Sequence, residues 1–187
     1  MSSNRLPTFS LWMATATLWF IALMLILNAL GWIAPGLNPL SLENGLVLSL
    51  KDSLIEALHL DISTLPGWQR IGAAALSSAP LFALAAGLWH LRALFRAYGR
   101  QEYFSPRGAM HLKRVGQFVA VWVVLGVLCQ PLLSVWVTML RPAGERMISM
   151  GFSSSDAVAL FLACSIAIIA KILERAGAIH AENQQFV

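Results

Sequence analysis

The chain has 187 residues, of which 58% are hydrophobic and only 12% are charged. Soluble domains average about 45–50% apolar and about 25% charged residues, so this composition excludes an ordinary soluble domain. The net charge of +4 would suit a nucleic-acid binder. However, the basic residues flank apolar runs, and membrane topology and lipid head groups explain such a pattern. We therefore expect membrane lipid as a partner and no direct contact with nucleic acid.

Four apolar runs occupy nearly half of the chain. A helix needs about 20 mostly apolar residues to cross the hydrocarbon core of a bilayer, which is about 30 Å thick. Each run comes close to that length, and little chain is left over for a soluble domain. We predict an all-α membrane protein with four transmembrane helices in a single integral membrane domain, residues 1–187. The predicted spans are residues 11–33, 71–95, 115–140 and 157–175.

The distribution of Lys and Arg predicts the orientation of the chain. Cytoplasmic flanks of membrane spans carry an excess of these residues. Nine of the thirteen lie on the side that both termini share with the connection between spans two and three: Arg5, Arg92, Arg96, Arg100, Arg107, Lys113, Arg114, Lys171 and Arg175. The other side has four: Lys51, Arg70, Arg141 and Arg146. We therefore expect both termini and the middle connection to be cytoplasmic.

The two external connections contain short apolar segments with strand-like patterns. Residues 46–50 alternate Leu with Val and Ser, and residues 147–152 form a second short extended candidate. Period-2 alternation of this kind is typical of a strand. We predict that the two segments pair into a small extracytoplasmic β element.

The dipeptide Ser105-Pro106 predicts the start of the third helix. A serine hydroxyl can cap a helix, and proline at the first helical position gives up no needed N–H. We expect this helix to begin in the cytoplasm near Pro106 and to continue unbroken past Val115 into the bilayer.

Small residues recur at every fourth position in two of the spans. They are Ala75, Ala79, Ala83 and Gly87 in span two, and Ala159, Ala163 and Ala167 in span four. Helices associate in lipid through close van der Waals contact, which small residues permit. We expect these stripes to face other helices and, as one arrangement, each other.

Residues that could carry chemistry are few. The polar residues Asn28 and Gln130 are expected to bond backbone carbonyls on neighbouring helices. The histidines, which are scattered along the sequence, make no metal-binding pair at helical spacing: His59, His90, His111 and His180. No nucleophile elbow, P-loop or dinucleotide fingerprint is present. We expect no catalytic residue, no metal and no cofactor, and thus no enzyme.

Three segments resemble a known family. They are Gly67-Trp68-Gln69-Arg70, the stretch from Leu91 to Gly116 around Glu102-Tyr103-Phe104-Ser105-Pro106, and the tail from Glu174 to Val187. In this order they are similar to four-span bacterial inner-membrane proteins known only as a domain of unknown function. In that family a glycine usually precedes the Glu-Tyr-Phe-Ser core, and this chain departs from the pattern with Gln101 at that position. The resemblance implies a bacterial inner-membrane location and no assigned activity, and some members are encoded beside a small helix-turn-helix regulator.

These observations lead to one main functional hypothesis and one alternative. We expect a regulatory or accessory protein that acts through protein contacts at its cytoplasmic face. The candidate surface there comprises Arg96, Arg100, Tyr103, Phe104, Ser105, Arg107, Lys113, Arg114 and Phe186. The alternative is a small transporter or channel component, which would act as a homo-oligomer because four helices with so few polar residues cannot line a wet pore alone.

Overall fold

The computed structural model of the protein describes residues 5–33, 65–101, 105–142, 144, 146 and 148–184. These residues form four α-helices and no strand. The helices are α1 (Arg5–Ile33), α2 (Gly67–Gly99), α3 (Pro106–Thr138) and α4 (Ser154–Gln184). The predicted all-α fold class is confirmed.

Every helix is long enough to cross a bilayer. They contain 29, 33, 33 and 31 residues, which at 1.5 Å per residue gives about 44–50 Å. All four are also sufficiently apolar for a membrane span. Large apolar side chains such as Trp19 and Phe161 are more than two-thirds exposed, as expected where lipid is the solvent. The protein is a multi-pass membrane protein.

All four helices begin before their predicted spans, and α2 and α4 also end after them, whereas α3 ends two residues before its predicted span. As the sequence predicts, α3 begins at Pro106, and the Ser105 hydroxyl accepts a hydrogen bond of 3.1 Å from the Gly108 backbone N–H. Helix α4 begins three residues before its predicted span and ends nine residues after it. Apolar composition marks the lipid-embedded part of a helix, whereas a helix continues wherever its backbone bonds continue.

The chain divides into two compact units. The first comprises residues 1–21, 83–121 and 154–187. In this unit α4 packs closely on α3. A methyl group added at Gly116 would lie only 2.9 Å from the carbonyl oxygen of Ala163. It would also lie 3.4 Å from the backbone nitrogen of Ala167. Glycine at position 116 is what allows the two backbones to approach.

Three residues of the small-residue stripes lie against α3. Ala163 and Ala167 on α4 meet Gly116, while Gly87 on α2 lies against Phe118, whose Cβ would be 3.1 Å from an added methyl group. Ala75 is exposed. The prediction that the stripes make helix contacts holds at these positions. At Gly87, Ala163 and Ala167 the complementary surfaces are Gly116 and Phe118 of α3, and the pairing of the two stripes with each other stays a prediction.

The second unit comprises residues 22–82 and 122–153. Its core contains Trp32, Ala73, Leu133 and Val137, all less than 5% exposed. Here Asn28 donates a hydrogen bond of 3.0 Å to the Ser78 hydroxyl. The expectation that Asn28 bonds a backbone carbonyl was wrong, because the serine hydroxyls of α2 lie opposite it and also bond the Ala74 carbonyl themselves.

Gln69 and Trp136 join the beginning of α2 to the end of α3 in this second unit. The Gln69 side-chain amide donates to the carbonyls of Trp136 and Val137, at 2.7 and 3.0 Å. The Trp136 indole N–H donates in return to the Gln69 carbonyl at 3.0 Å. Carbonyls in the last turn of a helix have no partner within that helix. Gln69, which the family resemblance marks, therefore caps the end of α3 from another helix.

The predicted β element finds no support in the part of it that the structure describes. Residues 148–152 are not a strand; instead, the Ser149 backbone N–H donates to the Ser134 hydroxyl at 3.0 Å, which ties this connection to α3. Its predicted partner, residues 46–50, lies outside the described residues.

Candidate functional site

The predicted surface residues lie at the end of α2 and at the beginning of α3. Arg96 and Arg100 belong to the last turns before the connection, and Arg107, Lys113 and Arg114 to the first turns after it; all five side chains are exposed. Ser105 caps α3 and has a structural role. Tyr103, Phe104 and Phe186 lie outside the described residues.

Three of these arginines meet in a cavity of about 270 Å³. We call it the arginine groove; its lining consists of Trp89, Arg92, Ala93, Arg96, Ala97, Arg100, Arg107 and His111. On α2 the lining residues form two adjacent rows with a spacing of four, one at positions 89, 93 and 97 and the other at positions 92, 96 and 100. The two lining residues of α3, at positions 107 and 111, are also four apart. Residues with this spacing lie on the same face of a helix. Lys113 and Arg114 do not line the groove.

Part of this groove is not predicted by the sequence. Arg92 contributes only to the predicted orientation of the chain, and the predicted surface includes neither Trp89 nor His111. The Arg92 guanidinium lies 5.1 Å from the centre of the Trp89 ring, within the range of a cation–π contact. The spacing of Trp89 and Arg92 within one turn of α2 could have indicated this pair.

His90 and His111 form a second feature beside the groove. Their Nδ1 atoms are 3.1 Å apart, and the His90 ring stacks on Phe118 with the ring centres 5.6 Å apart. These two histidines are far apart in the sequence, and the packing of α2 on α3 brings them together. In the described ranges no group of three metal-ligating side chains occurs.

The groove has a strong positive charge of its own. It contains four arginines, and neither α2 nor α3 contains an acidic residue. The acid in the connection between them, Glu102, lies outside the described residues. No carboxylate of the two lining helices therefore neutralises the four guanidinium groups.

The apolar parts of α2 and α3 indicate the depth of these side chains. Residues 71–91 and 115–138 contain no Asp, Glu, Lys or Arg, and each stretch exceeds the roughly 20 residues that cross the hydrocarbon. Residues 106–114 then form a stub of about 14 Å beyond it. Arg92, Arg96 and Arg100 likewise follow the apolar stretch of α2, so the groove lies at the level of the lipid head groups and the adjoining water.

Comparison with known proteins gives one result. The family model described as "Protein of unknown function (DUF2975)" matches residues 56–187, more than two-thirds of the chain. No curated protein and no solved structure matches.

Proposed function

The chain belongs to the DUF2975 family of proteins of unknown function, and we propose that it is a non-enzymatic regulatory or accessory protein of the membrane. It acts through protein contacts at its cytoplasmic face. The observation that carries this proposal is an exposed face on the stub of α3, which combines cationic and apolar side chains.

This stub face consists of Arg107, Met110 and Arg114. The three residues lie three and four positions apart, so they share one side of the helix. Met110 is 51% exposed although it precedes the hydrocarbon-spanning part of α3, and the flanking arginines are exposed as well. Methionine and arginine are both enriched in protein interfaces. A methionine side chain that stays in water contributes no hydrophobic stabilisation, because apolar surface is stabilised only when it is removed from water.

The chemistry of the face indicates the class of partner. Two arginines beside an apolar side chain suit a segment that presents carboxylates around an apolar residue. Charge complementarity of this kind selects partners and speeds their encounter. The excess of Lys and Arg on this side of the membrane supports a cytoplasmic location, so the partner we propose is an acidic segment of a soluble cytoplasmic protein.

Site-specific photo-crosslinking in living cells tests this proposal. A photoreactive residue replaces Met110 in one variant and Val124 in the other. Val124 is a matched control because it lies on the same helix and is 52% exposed, but within the apolar stretch. We expect a discrete protein adduct from position 110 and none from position 124. The adduct should disappear when Arg107→Glu and Arg114→Glu are added. If position 110 yields no protein adduct, or the adduct survives both charge reversals, the proposal is wrong.

The transport alternative has less support. The polar side chains that α1 and α2 bring together bond to each other, with Asn28 joined to Ser77 and Ser78, and such pairing is typical of helix association in lipid. Ion or solute flux into liposomes that contain the purified protein would support transport instead.

A further inference from the structure

We infer that the arginine groove is a binding site for the phosphate group of an anionic phospholipid. This inference goes beyond the proposed function, because it concerns the groove and a lipid, whereas the protein contacts are assigned to the stub face. Arg107 alone belongs to both.

The side chains of the groove match the chemistry of a phosphate. A guanidinium group is planar and presents paired N–H donors that bind phosphate oxygens bidentately. Arg92, Arg96 and Arg100 line the groove from α2, and Arg107 lines it from α3. His111 adds a ring nitrogen beside them. The site therefore offers donors from two helices to one small anion.

A bound anion would reduce the repulsion between the arginines of the groove. Successive arginines of α2 are one turn apart, about 6 Å along the axis, which is less than the Debye length of about 8 Å at physiological ionic strength. The two helices carry no carboxylate to offset this repulsion. A bound anion would neutralise part of the charge and would hold the ends of α2 and α3 together.

The depth and shape of the groove favour a lipid over a soluble phosphate. Trp89 lines the groove from the last turn of the apolar stretch of α2 and is 56% exposed. Tryptophan prefers the level of the lipid head groups, and there its ring can contact the glycerol and upper acyl region of a lipid. Ala93 and Ala97, whose side chains are small, line the groove beside the arginines. Basic pockets between transmembrane helices on the cytoplasmic side are suited to anionic head groups.

Lipid titration of the full chain in detergent, read by native mass spectrometry, tests this inference. The probes are dioleoyl phosphatidylglycerol and, as the zwitterionic comparison, dioleoyl phosphatidylcholine. The groove variant is Arg92→Gln with Arg96→Gln. The control variant is Lys113→Gln with Arg114→Gln, which removes the same amount of charge from α3 outside the groove. Thermal unfolding without added lipid shows whether each variant is folded, and Arg100→Gln, at an exposed position, replaces the groove variant if that one does not fold.

We expect the wild-type chain to bind phosphatidylglycerol more tightly than phosphatidylcholine. In the groove variant the dissociation constant for phosphatidylglycerol should rise by about tenfold or more, because charge-assisted bonds to phosphate are lost, while the control changes less than about twofold. Equal losses in both variants would mean diffuse charge attraction and would overturn the inference, as would equal affinity for the two lipids. Displacement of the lipid by an equimolar amount of inorganic phosphate would assign the groove to a free anion instead. The adduct from position 110 should be unchanged in the groove variant, so the two proposals can fail separately.

Discussion

Nδ1 of His90 lies 3.1 Å from Nδ1 of His111, so one imidazole donates a hydrogen bond that the other accepts. A neutral imidazole has one protonated and one bare nitrogen. The pair therefore contains one ring with its proton on Nδ1 and one with its Nδ1 free. Because the residues are on α2 and α3, this bond links the two helices that line the arginine groove.

The link predicts an energetic coupling between the two histidines. His90→Phe and His111→Phe should each lower stability in detergent, and the double variant should be more stable than the sum of the two losses implies. We expect a coupling energy of about 0.5–1.5 kcal/mol, the value of a typical hydrogen bond. Chemical or thermal unfolding of the wild type, the two single variants and the double variant measures this coupling energy. Strictly additive losses would show that the bond contributes nothing.

Gln69 should be essential to the junction of α2 and α3. Its side-chain amide supplies donors to the carbonyls of Trp136 and Val137, so Gln69→Leu should lower the free energy of unfolding by about 1–3 kcal/mol. Gln69→Glu keeps the shape but brings a carboxylate against two carbonyl oxygens, and it should cost at least as much. Gln117→Leu, at an exposed position on α3, is the control and should be close to neutral. Equal stabilities for the Gln69 and Gln117 variants would contradict the capping role.

Gln101 should be a site at which glycine stabilises the protein. Its φ is +66°, and its N–H bonds the Tyr98 carbonyl just past the end of α2. This left-handed conformation costs an L-residue about 1–2 kcal/mol, while glycine adopts it freely but loses more entropy on folding. We expect Gln101→Gly to raise stability by about 0.5–1 kcal/mol. Inside a helix the same change, Gln117→Gly, should instead lower stability by about 0.5–1 kcal/mol. If both substitutions changed the stability in the same direction, the left-handed conformation of Gln101 would be contradicted.

Gly116 and Gly126 on α3 should respond oppositely to alanine. A methyl group at position 116 would press on the backbone of α4 at Ala163, whereas at position 126 it would meet nothing within 4 Å. Gly116→Ala should cost about 1–3 kcal/mol through overpacking. Gly126→Ala should be neutral or should stabilise by up to about 1 kcal/mol. Melting temperatures of the two single variants decide the matter, and equal shifts would mean that α4 does not approach α3 at Gly116.

The sequence predicts the helices better than their contacts. Apolar runs locate all four helices, and the preference of serine for caps locates the start of α3 at Pro106. The end of α4 at Gln184 could not be read from hydropathy, because that measure reports what lipid will solvate and not where backbone bonds stop.

Contacts between helices depend on register, which a single sequence does not contain. His90 and His111 are twenty-one residues apart, and only the packing of α2 on α3 makes them neighbours. The arginines were found by charge, but the groove that Arg92, Arg96, Arg100 and Arg107 form needs the same packing. The capping role of Gln69 could not be predicted either. Nothing in the sequence of α3 shows which residue will donate hydrogen bonds to its last carbonyls.

We propose that the chain crosses the membrane four times with the arginine groove on the cytoplasmic side. Cysteine labelling tests it directly. Cys129 and Cys164 are first replaced by alanine, and a single cysteine is then placed at Arg100 or at Ile148, both exposed. With a membrane-impermeant maleimide, we expect labelling at position 148 when the reagent is added outside intact cells whose outer layers have been removed. Labelling at position 100 should occur only in inverted vesicles. Labelling of both positions from the same side, or the reversed pattern, would contradict it.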